Sequence, residues 1–187
     1  MKIAFIGSHG VGKTTLCFDL AARLQRLDLS VEIVKEVARR CPLPLNRDTT
    51  LAAQQWILHQ QIADELAATE RFEAVVCDRS VLDNYAYLVA RLGPRDELEP
   101  MVADWVRGYD ALFKVPILQA PRFDGTRDLS EEFQVEIDER IDELLVRFGL
   151  RCERLDPARR TRWPAEVLEF LGLPANPAQF DLFDAGG

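Results

Sequence analysis

A glycine-rich segment near the start of the chain has the residue types and spacing of a phosphate-binding loop. It reads Gly7-Ser8-His9-Gly10-Val11-Gly12-Lys13-Thr14 and fits the pattern G-x-x-x-x-G-K-[ST] between an apolar run and a helix-like segment. Glycines let the backbone curl so that its amides face an anion. Lys13 can then reach the β- and γ-phosphates, and the Thr14 hydroxyl can bind Mg²⁺. The segment, extended by Thr15, therefore predicts a nucleoside triphosphate site.

An acidic residue, Asp78, and a basic residue, Arg79, directly follow the apolar run Ala74-Val75-Val76-Cys77. Ligands of open parallel sheets gather outside the carboxyl ends of the strands, which is where Asp78 and Arg79 would lie. Asp78 is predicted to assist Mg²⁺ binding, the alternative being a helix-capping aspartate. Arg79 is predicted to project into the cleft, the alternative being a structural salt bridge.

Glu36 follows a second predicted strand, Val31-Glu32-Ile33-Val34. At that strand's carboxyl end, its carboxylate would face the γ-phosphate across the cleft. There it could accept a proton from a substrate hydroxyl and orient the hydroxyl for attack. The alternative is a solvated glutamate in a charged turn, and spacing alone does not separate the two.

Two arginines, Arg122 and Arg127, lie in a polar predicted loop before a long helix. Phosphoryl transfer requires neutralisation of charge, so an arginine-bearing lid that closes over the phosphoryl group and excludes water is physically reasonable. The alternative is a pair of solvated arginines.

A predicted long helix carries Trp56, His59 and the glutamines Gln54, Gln55, Gln60 and Gln61. One face of this helix could supply a stacking ring and an amide that reads the edge of a nucleobase. An amphipathic helix with a core tryptophan is an equally good interpretation.

Composition limits the classes of protein that the chain can belong to. Its 187 residues fit one domain, and 48% hydrophobic residues suffice for a core. A net charge of −8 argues against binding to nucleic acid or to an anionic membrane. The four cysteines show no C-x-x-C spacing, and neither a secretory signal nor a membrane span is apparent. We therefore expect a cytoplasmic protein with buried, unpaired thiols.

Strands and helices are predicted to alternate along the chain. This order predicts a three-layer α/β/α domain over residues 1–171, with a five-stranded parallel sheet. Residues 172–187 are predicted to form an extended tail rich in Pro, Ala and Gly.

The motifs together resemble those of the P-loop nucleoside and deoxynucleoside kinases, especially the small AAA branch similar to nicotinamide riboside kinases. Four motifs carry the resemblance: the phosphate loop, Glu36-Val37-Ala38-Arg39, Asp78-Arg79-Ser80-Val81 and Asp124-Gly125-Thr126-Arg127. It implies Glu36 as catalytic base, Asp78 for the metal, and Arg79 for the substrate 5′-oxygen and phosphates. It also implies Arg39 as a substrate-binding residue and Gln55, or Gln54 after a one-residue slip, for reading the base.

The resemblance implies an ATP- and Mg²⁺-dependent kinase that phosphorylates a hydroxyl of a nucleoside-like molecule, either a deoxynucleoside or nicotinamide riboside. Lys13, Arg79, Arg122 and Arg127 would stabilise the transition state. A nucleoside monophosphate kinase and a regulatory NTPase without a small-molecule acceptor are the alternatives, although no guanine-reading N-K-x-D motif is present. We also expect a dimer.

The tail contains Gln179-Phe180-Asp181-Leu182-Phe183. This segment resembles the short peptides by which bacterial proteins dock on the DNA sliding clamp, with Phe180 in place of the usual leucine. The alternative is an aromatic tail that folds back on its own domain.

Overall fold

Strands and helices alternate from the first residues onward in the computed structural model, which describes residues 1–45, 48–118 and 130–175. The strands in these ranges are β1 (Lys2–Ile6), β2 (Val31–Val34), β3 (Ala74–Asp78), β4 (Ala111–Lys114) and β5 (Glu153–Arg154). The α-helices are α1 (Lys13–Gln25), α2 (Leu51–Thr69), α3 (Val81–Leu92), α4 (Glu99–Val106), α5 (Glu131–Arg147) and α6 (Trp163–Phe170). Short 3₁₀ helices cover Val37–Arg40 and Pro157–Arg162.

The five strands form one parallel sheet in the order β2-β3-β1-β4-β5. The strand β1 is central, between β3 and β4. All carboxyl ends therefore meet at one edge of the sheet, and the phosphate loop leaves from the middle of that edge. The predicted α/β fold with a five-stranded parallel sheet is confirmed. The predicted lid arginines, Arg122 and Arg127, and the tail segment Gln179–Phe183 lie outside the described residues.

Helices cover both faces of the sheet because alternate residues of its central strands point to opposite sides. In β1, Ile3 and Phe5 pack in the core beneath α1 and α6. Ala4 and Ile6 pack in the core shared with α2, α3 and α5. All five residues of β1 are buried, which explains the unbroken apolar run in the sequence.

Local sequence determines where several of these elements begin and end. The strand β4 ends at Lys114, two residues before Pro116, which lacks the N–H that a strand ladder needs. The strand β5 is only two residues long. Thr50 caps α2 by accepting a hydrogen bond from the Ala53 amide.

The four cysteines are unpaired, as predicted, but only Cys17 and Cys77 are buried. Cys41 and Cys152 are partly exposed, so the prediction of buried thiols is wrong for this pair. Among the described residues, no helix combines the length and apolar character needed to cross a membrane.

Candidate active site

The phosphate loop adopts the backbone that its glycines predict. Gly7 has φ = +139°, and a β-carbon there would lie 2.7 Å from the carbonyl oxygen of Val115. Only glycine fits such a close approach. The Gly7 amide donates to Asp83 Oδ1 at 2.9 Å, which ties the start of the loop to α3.

Lys13 is buried and folds back over the loop. Its Nζ donates to the carbonyl oxygens of Gly7 at 2.8 Å and Ser8 at 2.5 Å. Burial, together with the positive charge of Arg79, lowers the pKa of Lys13 to about 8. A bound anion would offset both effects, so this ammonium group is suited to a phosphate ligand.

Thr14 and Asp78 meet at the carboxyl end of β3. The Thr14 hydroxyl donates to Asp78 Oδ2 at 2.5 Å. Asp78 does not cap α3, because Ser80 does, so the capping alternative is wrong. No cluster of three or more His, Cys, Asp or Glu side chains suited to a metal is found in the described ranges. One hydroxyl and one carboxylate fit Mg²⁺, which uses few protein ligands beside phosphate and water.

The start of α3 is fixed by a capping box that also reaches the phosphate loop. Ser80 Oγ accepts from the amides of Leu82 and Asp83, and Asp83 Oδ2 accepts from the Ser80 amide and hydroxyl. Burial raises the pKa of Asp83, although Lys13 and Arg79 oppose this shift. Asp83 therefore couples the position of α3 to that of Gly7.

Glu36 is buried, with 8% of its surface exposed, so the alternative of a solvated turn glutamate is wrong. Its Oε1 accepts from Arg79 Nε at 2.9 Å, and its Oε2 accepts from Arg39 Nε at 2.8 Å. Arg79 is equally buried, whereas the Arg39 side chain is 47% exposed. The structure thus brings together three of the four residues predicted for the substrate side, and Arg39 is the most exposed of the three.

Hydrogen bonds continue from Glu36 to the phosphate loop. Arg79 Nη2 donates to the Tyr87 hydroxyl at 3.4 Å, and that hydroxyl forms a 3.1 Å hydrogen bond with His9 Nδ1. The Arg79 guanidinium also lies over the Tyr87 ring, 4.7 Å from its centroid. Burial raises the pKa of Tyr87, which keeps the hydroxyl protonated. Arg79 therefore both lines the cleft and forms a salt bridge, so its two predicted interpretations coexist.

A cavity of about 210 Å³ lies beside this chain of contacts. Its walls combine acidic, basic, amide and aromatic side chains with apolar ones; they are His9, Glu36, Ala38, Arg39, Cys41, Leu45, Thr49, Gln54, Ile57, Arg79, Asn84, Tyr87, Arg91 and Phe133. Sequence reasoning missed Asn84, Tyr87 and Arg91. Their spacing of three and four residues on α3, directly after Asp78-Arg79-Ser80, was the signal that could have revealed this face.

The glutamine that lines the cavity is Gln54, and Gln55 is not part of the lining. Gln54 is buried, and its Nε2 donates to the Thr49 hydroxyl at 2.8 Å. Adjacent helical residues point about 100° apart, so only one of the pair can face the cavity. The structure therefore favours the one-residue slip over the predicted Gln55.

Arg160, from the 3₁₀ helix after β5, lies beside the phosphate loop. A β-carbon on Gly12 would be 3.8 Å from its Nη2. Its neighbours Arg159 and Arg162 form ion pairs with Glu166 at 2.7 Å and Glu169 at 3.5 Å. Among the residues that the structure describes, no ion pair of Arg160 is found. Arg160 was not predicted as a site residue. Because it lies far from the phosphate loop in the sequence, no local motif could have indicated it.

Residues 2–162 match the model of a protein family described as an AAA domain. The chain belongs to this AAA domain family. No curated protein shows significant sequence similarity to it.

Three solved structures have a similar fold. The NadR protein in complex with NR has a TM-score of 0.76 and 21% identity, over 96% of this chain and 54% of the NadR chain. Deoxyadenosine kinase from M. mycoides with bound dATP has a TM-score of 0.67 and 17% identity, over 92% and 99%. Thymidylate kinase from Ehrlichia chaffeensis has a TM-score of 0.65 and 19% identity, over 91% and 98%.

These likenesses confirm the predicted resemblance at the level of family and fold. The chain spans about half the length of the NadR chain that it matches, 54%. At identities of 17–21%, these three structures show a shared fold, and the chemistry must be argued from this chain's own residues.

Proposed function

We propose that the protein is an ATP-dependent kinase that transfers the γ-phosphoryl group to a hydroxyl of a nucleoside-like molecule. The observation that carries the proposal is the position of Glu36. Its carboxylate is held between two arginines in a cavity that also includes His9 of the phosphate loop. A base beside a phosphate site is what transfer to a hydroxyl requires.

On the donor side, the backbone amides of Gly7–Thr15 would hold the phosphates of ATP and Lys13 would neutralise their charge. Thr14 and Asp78 would hold Mg²⁺, which supplies further neutralisation when it is bound. Arg160 is close enough to Gly12 to contribute a second cation to the donor. The predicted contributions of Arg122 and Arg127 remain proposals.

On the acceptor side, Gln54 and Asn84 offer amide groups to a base edge, and Tyr87 and Phe133 offer aromatic rings to its face. Glu36 Oε2 would take the proton from the acceptor hydroxyl after the exposed Arg39 side chain moves aside. Arg79 would stay beside Oε1 and stabilise charge on the transferring group.

A nucleoside monophosphate kinase is the second candidate. Three arginines, Arg39, Arg79 and Arg91, line the cavity with a single glutamate. Arginines bind phosphate through two parallel hydrogen bonds, which would suit an acceptor that already carries a phosphate. A regulatory NTPase without a small-molecule acceptor would have Glu36 pointing away from the cleft. Because Glu36 lines the cavity, this alternative is less well supported.

An acceptor panel tests the proposal. The protein is incubated with labelled ATP, Mg²⁺ and deoxynucleosides, nicotinamide riboside or nucleoside monophosphates, and transfer of label is followed. Transfer to a nucleoside supports the first candidate, and transfer to a monophosphate alone supports the second. If ATP binds and no member of the panel is labelled, the kinase proposal fails in favour of the regulatory NTPase.

The choice between Gln54 and Gln55 gives a matched pair of variants. We expect Gln54→Leu to raise the acceptor KM about 10-fold or more, since a buried amide partner of the base is lost. Gln55→Leu should change it less than twofold, and neither variant should change the ATP Kd. Steady-state kinetics measure both values. Equal effects of the two substitutions would contradict the assignment of Gln54.

Arg160 and Arg159 provide a second pair on one short helix. We expect Arg160→Ala to raise the Kd for MgATP about 5- to 20-fold, because a charge-assisted contact to the donor is lost. Arg159→Ala also removes one positive charge, but the interaction that it loses is the ion pair with Glu166. It should leave the Kd within twofold of wild type by isothermal titration calorimetry. A normal Kd in Arg160→Ala would exclude this residue from the donor site.

We retain a cytoplasmic location as part of the proposal, since all four thiols are free. The predicted dimer and the predicted clamp contact of Gln179–Phe183 also remain predictions.

A further inference from the structure

The backbone of Arg79 adopts a conformation that residues with a β-carbon avoid. Its φ is +88°, in the left-handed region that favours glycine. Strained residues of this kind persist only where the surrounding structure over-determines them, and they cluster at functional sites. The Arg79 guanidinium contacts both Glu36 and Tyr87. The interactions that fix the Arg79 backbone therefore also determine the position of the guanidinium.

Hydrogen bonds from three directions fix the backbone around Arg79. The Arg79 amide donates to the Phe5 carbonyl in β1 at 3.2 Å. The Arg79 carbonyl accepts from Gln61 Nε2 at 3.4 Å. The amide of Val81, two residues later, donates to the Tyr109 hydroxyl at 3.3 Å.

Gln61 and Tyr109 are in turn held by one buried carboxylate. Glu65 is fully buried, and its Oε1 accepts from Gln61 Nε2 at 2.8 Å and from the Tyr109 hydroxyl at 2.5 Å. Its Oε2 accepts from Lys2 Nζ at 3.1 Å and Trp105 Nε1 at 2.7 Å. We call these five residues the Glu65 cluster: Lys2, Gln61, Glu65, Trp105 and Tyr109.

The carboxylate also fixes which way the Gln61 amide faces. Its nitrogen must point to Glu65, because a flipped amide would set oxygen against oxygen. The same nitrogen then reaches the Arg79 carbonyl, and Gln61 Oε1 is left to accept from Asn84 Nδ2 at 3.5 Å. Asn84 lines the cavity, whereas no member of the Glu65 cluster does.

We propose that the Glu65 cluster is a positioning device for Arg79, with Gln61 and Tyr109 as its two contacts to the strained turn. The cluster lies outside the cavity and touches no reactant. It acts by holding the Arg79 backbone so that the guanidinium stays between Glu36 and Tyr87. Its effect on turnover rests on the proposed function, but its effect on the backbone does not.

The chain offers a matched control on the same helix. Gln60 Nε2 donates to Asp64 Oδ1 at 2.8 Å, with the spacing by which Gln61 contacts Glu65, but Gln60 has no contact with Arg79. Gln61→Leu removes the contacts to Arg79 and Asn84 and leaves Glu65 three other donors. Gln60→Leu removes a hydrogen bond of the same sequence spacing that is partly buried. Tyr109→Phe is the second test variant, since it keeps the ring and loses only the hydroxyl.

The first measurement is hydrogen exchange of the Arg79 and Ser80 amides by NMR, in the full chain without ligands. We expect exchange at least 10-fold faster in Gln61→Leu and Tyr109→Phe than in wild type, and unchanged exchange in Gln60→Leu. Faster exchange in all three variants, or in none, would overturn the proposal. This readout does not depend on any acceptor, so it stands even if the kinase proposal fails.

The second measurement is a double-mutant cycle on turnover. Gln61→Leu should lower kcat about 10- to 100-fold in the wild-type background, since misplacement of a catalytic group has effects of that size. In an Arg79→Lys background it should lower kcat less than twofold, because the residue that it positions is already altered. The same loss in both backgrounds would mean that Gln61 supports the fold and not Arg79, and would overturn the proposal.

Discussion

Replacement of Lys13 by methionine is expected to abolish MgATP binding without lowering the stability of the ligand-free protein. The low pKa of Lys13, about 8 against 10.5, means that its charge is unfavourable in the folded state. At one pKa unit per 1.4 kcal/mol, this cost is about 3 kcal/mol at neutral pH. Loss of the hydrogen bonds to Gly7 and Ser8 offsets part of that gain, at about 1 kcal/mol each.

Thermal unfolding with and without MgATP measures both parts of this prediction. Wild type should unfold at a higher temperature with MgATP, because a ligand that binds only the folded state stabilises it. Lys13→Met should show no such shift and an unchanged or higher midpoint without ligand. Lys35→Met, which removes an exposed lysine, is the control and should behave as wild type. A persisting MgATP shift in Lys13→Met would remove Lys13 from the donor site.

The pKa of Lys13 also sets the sign of two pH dependences. Phosphate binds the protonated amine, so MgATP affinity should be full below pH 8 and fall as the pH rises above it. In the ligand-free protein the folded pKa lies below the unfolded one. The cost of the charge is therefore present below pH 8 and fades between pH 8 and 10.5, so this contribution stabilises wild type relative to Lys13→Met as the pH rises. A parallel pH profile of the two midpoints would contradict the buried charge.

The site residues that could be predicted from the sequence are those that belong to local sequence motifs. The phosphate loop follows β1 and begins α1, and Asp78 and Arg79 follow β3, so adjacency along the chain was enough to find them. Glu36 was found by the rule that ligands gather at the carboxyl ends of parallel strands. Its burial and its two arginine partners depend on tertiary packing, which spacing could not supply.

The walls of the cavity could not be predicted in the same way. The side chains of Gln54 and Gln55 point about 100° apart around the axis of α2. Since polar and apolar residues occur on several sides of this helix, the sequence does not determine which side faces the cavity. Phe133 reaches the cavity because α5 packs on α3, and Arg160 reaches Gly12 because β5 pairs with β4. Both depend on the order of the strands, which no local pattern encodes.

The strain at Arg79 was also invisible in the sequence. Nothing in the sequence distinguishes an arginine with φ = +88° from any other arginine. Its support comes from Gln61, which the sequence offered only as one of four glutamines on a possible base-reading face, and from Glu65, which no sequence pattern indicated. Long-range polar networks of this kind are where sequence-based reasoning fails at functional sites.

Glu36→Gln is expected to lower turnover about 10²- to 10⁴-fold, the range for loss of a general base. The ATP Kd should stay near the wild-type value, because the hydrogen bonds from Glu36 reach the phosphate loop through Arg79 and Tyr87. The amide keeps the size of the side chain but leaves the buried Arg79 without its carboxylate, so the variant should also lose stability. Kinetics must therefore be measured well below its unfolding midpoint.

Arg39→Gln separates the base from the salt bridge. It breaks the exposed ion pair to Glu36 Oε2 and leaves both the carboxylate and its contact with Arg79 in place. If Glu36 acts as the base, Arg39→Gln should mainly raise the acceptor KM, with a kcat within about 10-fold of wild type. If Glu36 only orders the two arginines, Arg39→Gln and Glu36→Gln should reduce kcat to a similar extent. Turnover of Glu36→Gln within threefold of wild type would exclude Glu36 from the chemical step, because a residue whose proton acceptance is required cannot be replaced by an amide at so small a loss.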